Sequence, residues 1–307
     1  MKKTEDCFLK VKKAYFKLLK KEKIFNKSKH IKISSLKNSY IPTSFWIENK
    51  YKEKGKTLFL GFAGGQGSGK TTVTAILKII LEKFFKRKVY SISIDDFYKT
   101  LRERNQISHT IHPLFKTRGV PGTHDVNLIK KLFSFIKRNK FRKFKLPKFD
   151  KSIDDRLKKK YWNTIKKRPE IVILEGWCVG AKPQLNYLLK KSTNNLEKYE
   201  DTGLTWRKHV NKELKKDYKK LFSMIDHFIF MKIPNFNMVF KWRLLQENKL
   251  RKKSHLRKKI MSYNEIKRFI MFYQRITLQM IKDLSKSASV VMMMKKNHEI
   301  KKIVFRS

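Results

Sequence analysis

The sequence predicts an α/β fold: a parallel sheet with helices on both faces, preceded by a helical extension. Three observations carry that expectation. Short apolar runs recur at 58–62, 89–94, 171–174, 228–233 and 290–294, with a sixth candidate at 303–305. Longer segments with helical spacing lie between them, at 71–85, 126–138 and 264–284. A glycine-rich turn joins the first run to the first of these helices. Runs that are apolar throughout suit strands buried on both faces, the arrangement that crossover helices give a parallel sheet.

Ahead of the first strand, residues 1–50 form a basic lead-in where Phe8, Leu9, Val11, Tyr15, Phe16, Leu18 and Leu19 recur at helical spacing. This reads as an amphipathic helix, packed on the main domain or, on a second reading, lying on a membrane surface. Residues 51–307 contain no repeat and no Pro/Gly/Ser linker, so they read as one α/β domain. The connection from Ile94 to Ile171 exceeds what one crossover helix needs. It must carry an insertion, and insertions of this kind commonly bind substrates. Ser262 and Glu265 form a capping box that opens the last long helix.

Composition narrows the function class. The chain has 307 residues, 40% hydrophobic and 13% aromatic, with 11 Gly and 7 Pro, which excludes a disordered or collagen-like chain. No run approaches the roughly 18 apolar residues of a membrane span. The N-terminus lacks an apolar core with a cleavage site, so a cytoplasmic protein with no membrane partner is expected. Cys7 and Cys178 are too few for a disulfide framework and lie in no Cys/His cluster, so no structural metal is expected. With 76 Lys+Arg against 25 Asp+Glu, the net charge is +51. Such a field draws in anions. It is spread along the whole chain, as a general shift of composition gives, and the basic run at 251–259 lacks the interleaved aromatic groups of a nucleic-acid site.

In GGQGSGKTT, Gly64, Gly69, Lys70 and Thr71 match the pattern G-x-x-x-x-G-K-[ST], in the strand-to-helix context its mechanism requires. Gly64, Gly65, Gly67 and Gly69, with Gln66 and Ser68 between them, let backbone N–H groups turn inward around phosphate oxygens, and the following helix adds its positive end. Lys70 then reaches the β- and γ-phosphates and the Thr71 hydroxyl holds Mg²⁺. Thr72 either joins this loop or is ordinary first-turn polarity.

Asp95 and Asp96 follow the second apolar run, where open α/β sheets bind ligands. A carboxylate there accepts the proton of an attacking hydroxyl, holds the metal, or simply makes a turn. Glu175 follows the third run in the same way and would hold Mg²⁺ directly or through water. In the long crossover, Asp125 or Thr123 serves as an N-cap, while Arg118, Thr123, His124 and Asp125 together suggest a site. The polar cluster at 149–156 is equally two-sided. Further on, Arg243 and Glu247 lie four apart on a predicted helix. They either pair with each other, or Arg243 stabilises charge on a transferring phosphoryl group.

Taken in order, GGQGSGKTT, SIDDFYKT, RGVPGTHD, PKFDKS followed by DDR, ILEGWCVGAKP and WRLLQENKLR resemble the P-loop kinases related to uridine kinase, pantothenate kinase and phosphoribulokinase, and within them the ATP-dependent D-glycerate 3-kinases. The P-loop is widely shared, but DDFY, RG-x-PGTHD and EGW-x-x-G-x-x-P together are narrow. The resemblance implies a P-loop NTPase-type sheet and transfer of the γ-phosphate of MgATP to the 3-hydroxyl of D-glycerate. A pantothenate- or nucleoside-like acceptor is the alternative, since acceptor sites diverge on one fold. It also implies that Asp95 is the catalytic base, that Lys70 and Arg243 act on the phosphates, and that Glu175 is the metal-linked acid. Tyr98, Arg118, Thr123, His124, Asp125 and Lys151 would face the acceptor. The stretch from Ser152 to Arg156 departs from the family in being short and without glycines, so Arg156 is not carried over. A reading from another class, a nucleic-acid-associated ATPase that passes phosphate to water, would need base-reading groups among its cations. Nucleic acid is therefore not the expected main partner.

Overall fold

The structure, a computed structural model, describes residues 2–24, 28–138, 141–251 and 261–306. Its strands in chain order are β1 (Leu58–Gly64), β2 (Val89–Ser93), β3 (Phe144–Leu146), β4 (Phe149–Asp150), β5 (Asp155–Arg156), β6 (Asn163–Ile165), β7 (Ile171–Gly176), β8 (His227–Lys232), β9 (Val290–Met294) and β10 (Ile300–Phe305). The helices are α1 (Lys2–Lys21), α2 (Lys29–Ser35), α3 (Ile41–Lys54), α4 (Lys70–Lys83), α5 (Leu101–Thr110), α6 (Val126–Lys137), α7 (Asn195–Tyr199), α8 (Thr205–Glu213), α9 (Lys219–Phe222), α10 (Asn237–Arg251) and α11 (Tyr263–Ser287).

All six apolar runs become strands of one sheet, in the order β10-β9-β8-β1-β7-β2. Five are mutually parallel. The sixth differs, because β10 runs antiparallel to β9. The chain turns back within 295–299, where Lys295 N–H donates to Glu299 O at 2.7 Å. A connection that short makes a hairpin and cannot make a crossover.

Successive residues of a strand point to opposite faces, and the two faces carry separate cores. Phe59, Ala63, Ile92, Val172 and Leu174 pack under α6, α8 and α11. Leu58, Leu60, Phe62, Ile171 and Ile173 pack under α1, α3 and α4. Helix α1 buries Cys7, Phe8, Val11, Tyr15 and Leu19, spaced one helical turn apart, and packs on α4. Leu9 falls off this stripe and is exposed, contrary to the sequence expectation. The apolar face of α1 is therefore covered by protein, not left for a membrane surface. Among the described residues no helix is long and apolar enough to cross a membrane.

The long crossover holds α5, α6 and two small antiparallel pairs, β3 with β6 and β4 with β5. The ends of β1, β7 and β2 lie side by side, with Phe62 and Ser93 both registered against Glu175. Glu175 thus belongs to the strand, one residue further than the apolar run predicts.

Candidate active site

The glycine-rich turn leaves the end of β1 and enters α4. Gly67 and Gly69 have φ of +72° and +88°, a region that side chains resist. A Cβ on Gly67 would also lie 2.8 Å from Trp242 Cβ. Inside the turn, Gln66 Oε1 and the 1%-exposed Ser68 Oγ are buried without a protein partner. Buried polar atoms are nearly always satisfied, and the Ser68 hydroxyl can donate to a polyanion in this cradle, whereas the Gln66 oxygen can only accept. Lys70 Nζ donates to Gly65 O at 3.1 Å. Burial lowers the Lys70 pKa, against the opposing charges of Glu175 and Asp95.

On the acid side, the Thr71 hydroxyl lies 2.9 and 3.1 Å from the two Glu175 carboxylate oxygens. Burial raises the Glu175 pKa, while Lys70 and Thr71 oppose it. A hydroxyl and a carboxylate at the foot of a phosphate cradle are the hard oxygen donors that suit Mg²⁺.

Asp95 sits in a single turn of 3-10 helix, Ile94–Phe97, directly after β2. Its Oδ1 accepts from the Tyr98 hydroxyl at 2.9 Å and its Oδ2 from Lys151 Nζ at 2.8 Å. Burial pushes the carboxyl up, but the charge and hydrogen bond of Lys151, with His124 and Tyr98, outweigh it and hold the pKa below the ordinary carboxylate value. Asp96 behaves oppositely, raised mainly by burial.

The RGVPGTHD segment divides its roles. Thr123 is fully buried; its hydroxyl donates to Val120 O at 2.7 Å and accepts from Gly119 N–H at 3.0 Å. Both bonds stay within the loop, so Thr123 shapes the turn. Asp125 caps α6 by accepting from Leu128 N–H at 3.0 Å, and its other oxygen meets Arg156 at 3.3 Å. His124 stacks on Tyr98 with ring centroids 4.6 Å apart, and its Nδ1 shares a 2.6 Å hydrogen bond with the Tyr218 hydroxyl. Burial lowers its pKa to about 4, so the ring is neutral, and its buried Nε2 has no protein partner. Arg118 pairs with Asp154 and lies over the Phe149 ring.

Arg243 makes the pair its spacing allows, with Nη2 2.5 Å from Glu247 Oε1, while its buried Nε is unpartnered. The preceding Trp242 stacks on His298, whose Nε2 lies 2.9 Å from Gly67 O. The basic run expected at 251–259 falls, from position 252 on, outside the described residues. Beside the turn, a cavity of about 320 Å³ is lined by Gly69, Thr72, Tyr15, Leu19, Trp242 and His298.

No family model matches the chain. Over 236 residues it is 31% identical to the uncharacterized kinase mug58 of Schizosaccharomyces pombe, covering 74% of this chain and 82% of that one. Over 251 residues it is 30% identical to the chloroplastic D-glycerate 3-kinase of Arabidopsis thaliana, covering 76% of this chain and 52% of the plant protein. The chain belongs to the P-loop kinase family of these two proteins. It spans about half the length of the plant relative. The solved D-glycerate 3-kinase from Cryptococcus neoformans shares the kinase's fold, with a TM-score of 0.72 at 24% identity over 87% of this chain and 99% of that one. The kinase is an ATP-dependent phosphotransferase.

Three residues of the kinase site escape a reading of sequence alone. Arg156 donates through Nε and Nη2 to Tyr98 O at 3.0 and 2.7 Å, clamping the segment that carries Asp95. Trp177 donates to Gly119 O at 2.9 Å, and the Tyr273 hydroxyl donates to Arg118 O at 3.2 Å. These bonds fix the RG-x-PG turn from two sides. Of these residues, Arg156 lies in the acid-and-arginine run at 154–156 and Trp177 in the EGW-x-x-G-x-x-P motif, but neither signal says what the side chain holds, and Tyr273 has none.

Proposed function

We propose that the kinase transfers the γ-phosphate of MgATP to the 3-hydroxyl of D-glycerate, giving 3-phosphoglycerate and ADP. The observation that carries this reading is Asp95, an ionised carboxylate at the end of β2, beside the strand that carries Glu175 and within the electrostatic reach of Lys70. The names of the plant relative and the Cryptococcus structure support the acceptor. Lys151 and Arg118 beside Asp95 and Phe149 provide cations for its carboxylate.

On this reading the backbone of residues 64–69 and Lys70 bind the phosphates, and Arg243 neutralises charge on the transferring group. Thr71 and Glu175 would hold Mg²⁺, which when bound neutralises the β- and γ-phosphate oxygens. Asp95 takes the hydroxyl proton as that oxygen bonds to the γ-phosphorus and the bond to the ADP oxygen breaks. Neutral His124 and Tyr98 orient the acceptor, and the nucleoside occupies the 320 Å³ cavity, a volume at the lower end of the roughly 300–1,000 Å³ typical of ligand pockets. The compartment proposed is the cytoplasm, with residues 1–50 as an extension to a kinase domain at 51–307.

ADP release measured over D-glycerate, L-glycerate, pantothenate, uridine and ribulose 5-phosphate tests the acceptor. D-glycerate is expected to stand out, and a higher kcat/KM for uridine or pantothenate replaces this reading with its alternative. Glu175→Gln is expected to shift the Mg²⁺ titration of activity to higher concentration, and an unchanged titration removes Glu175 from the metal site. Leu19→Trp, placed in the cavity wall, is expected to raise KM for ATP by about tenfold, the weight of one blocked apolar contact surface, without changing KM for the acceptor. Equal changes in both would move the nucleoside elsewhere.

A further inference from the structure

We propose that the Lys151–Asp95 ion pair is an acceptor-operated plug. Lys151 occupies the base until an acceptor bearing its own carboxylate draws the ammonium away, so anionic acceptors are selected and water is not. This rests on the reading of Asp95 as the base.

Both oxygens of Asp95 are engaged, one by Tyr98 at 2.9 Å and one by Lys151 at 2.8 Å. Each carboxylate oxygen keeps a further lone pair, so the base is not filled, but the Lys151 ammonium beside it makes it a weaker proton acceptor until that charge is drawn away. The two partners differ in freedom. Tyr98 is 4% exposed and stacked on His124, whereas the Lys151 side chain is 60% exposed at the tip of the β4–β5 hairpin.

The hairpin is self-supporting. Ser152 N–H and Oγ bond to Asp150 Oδ1 at 2.8 and 2.5 Å, and β4 pairs with β5 through Phe149 with Arg156 and Asp150 with Asp155. Lys151 can therefore swing without unfolding its turn. Of the other nearby acids, Asp154 pairs with Arg104 and Arg118 and Asp155 accepts from Leu101 N–H at 2.9 Å, while Asp96, which feels the Lys151 charge, accepts among the described residues only from Phe149 N–H at 3.5 Å. The exchange partner assigned here is the carboxylate of the acceptor. Trading one carboxylate for another keeps the Lys151 ammonium paired, and the Asp95 end of the existing pair is only 30% exposed. A neutral acceptor, or water, supplies no carboxylate and has to break the pair outright.

The test compares wild type, Lys151→Met and Lys151→Arg, each shown folded by circular dichroism. ADP formation is measured with D-glycerate, with glycerol, and with no acceptor. In Lys151→Met the kcat/KM ratio of D-glycerate to glycerol is expected to fall about tenfold or more, the weight of one charge-assisted hydrogen bond. KM for D-glycerate should rise, acceptor-free ATP hydrolysis should increase, and Lys151→Arg should restore most of the ratio. If wild type prefers D-glycerate while Lys151→Met keeps the ratio, or hydrolyses ATP no faster than wild type, the plug is wrong and the function stands. If wild type prefers glycerol or uridine to D-glycerate, the proposed function falls, and selection by the carboxylate falls with it.

Discussion

Lys70→Ala is expected to cut turnover by at least about 10² to 10³-fold, the cost of removing one preorganised charge from a transferring group, while leaving the fold intact. The structural reason for the second half is that Lys70 makes one hydrogen bond to the protein, to Gly65 O at 3.1 Å, and belongs to neither apolar core. Its pKa is depressed by burial, so its charge is an electrostatic burden on the folded state that a bound polyphosphate relieves. Removing it should leave the melting temperature unchanged or slightly raised without nucleotide and abolish the stabilisation that added ATP gives the wild type. Circular dichroism, thermal melts with and without ATP, and ADP release measured on one preparation check all three. Turnover near the wild-type rate would remove Lys70 from the phosphate site.

Asp95→Asn is expected to lower kcat for D-glycerate by about 10² to 10⁴-fold, the usual weight of general base catalysis, with KM for ATP nearly unchanged. Asparagine keeps the size of the side chain and can still accept from the Tyr98 hydroxyl, but it cannot take a proton or pair with the Lys151 ammonium. The wild-type acid limb should lie below the ordinary carboxylate range, because the folded pKa of Asp95 is lowered. The same lowering sets a sign for stability. The contribution of the ionised Asp95 is present above its unfolded pKa and fades as pH falls through the lower folded value. Acid melts of Asp95→Asn should therefore lose less stability across that window than the wild type. Normal phosphorylation by this variant, or wild-type ATP hydrolysis equally fast without any acceptor, would overturn the base assignment.

What could be read from the sequence follows the range of the interactions. The strands were readable because a parallel strand buried on both faces is a continuous apolar run, and the phosphate turn because its glycines, Lys70 and Thr71 are neighbours in the chain. The direction of β10 was not, since its apolar pattern is the same either way and only the tight turn at 295–299 decides it. The acceptor side was harder to read because its supports come from far away. Arg156 reaches Asp125 across 31 positions, Trp177 reaches Gly119 across 58, Tyr218 reaches His124 across 94, and Tyr273 reaches Arg118 across 155. No local spacing encodes such pairs. Thr123 is hard to read for a different reason: a hydroxyl in a Pro-Gly turn can serve a ligand or the turn itself, and here it makes two hydrogen bonds within the turn.

The cavity beside Gly69 takes one wall from Tyr15 and Leu19, near the beginning of the chain, and another from His298, near its end. These walls lie far apart in the chain, so the cavity closes only when distant segments meet. Because β1 lies between β7 and β8, the phosphate turn gains its support only once those later strands have emerged, and the side that His298 closes follows them. Nucleotide capture by the growing polypeptide should stay weak until the β9–β10 hairpin has left the exit tunnel.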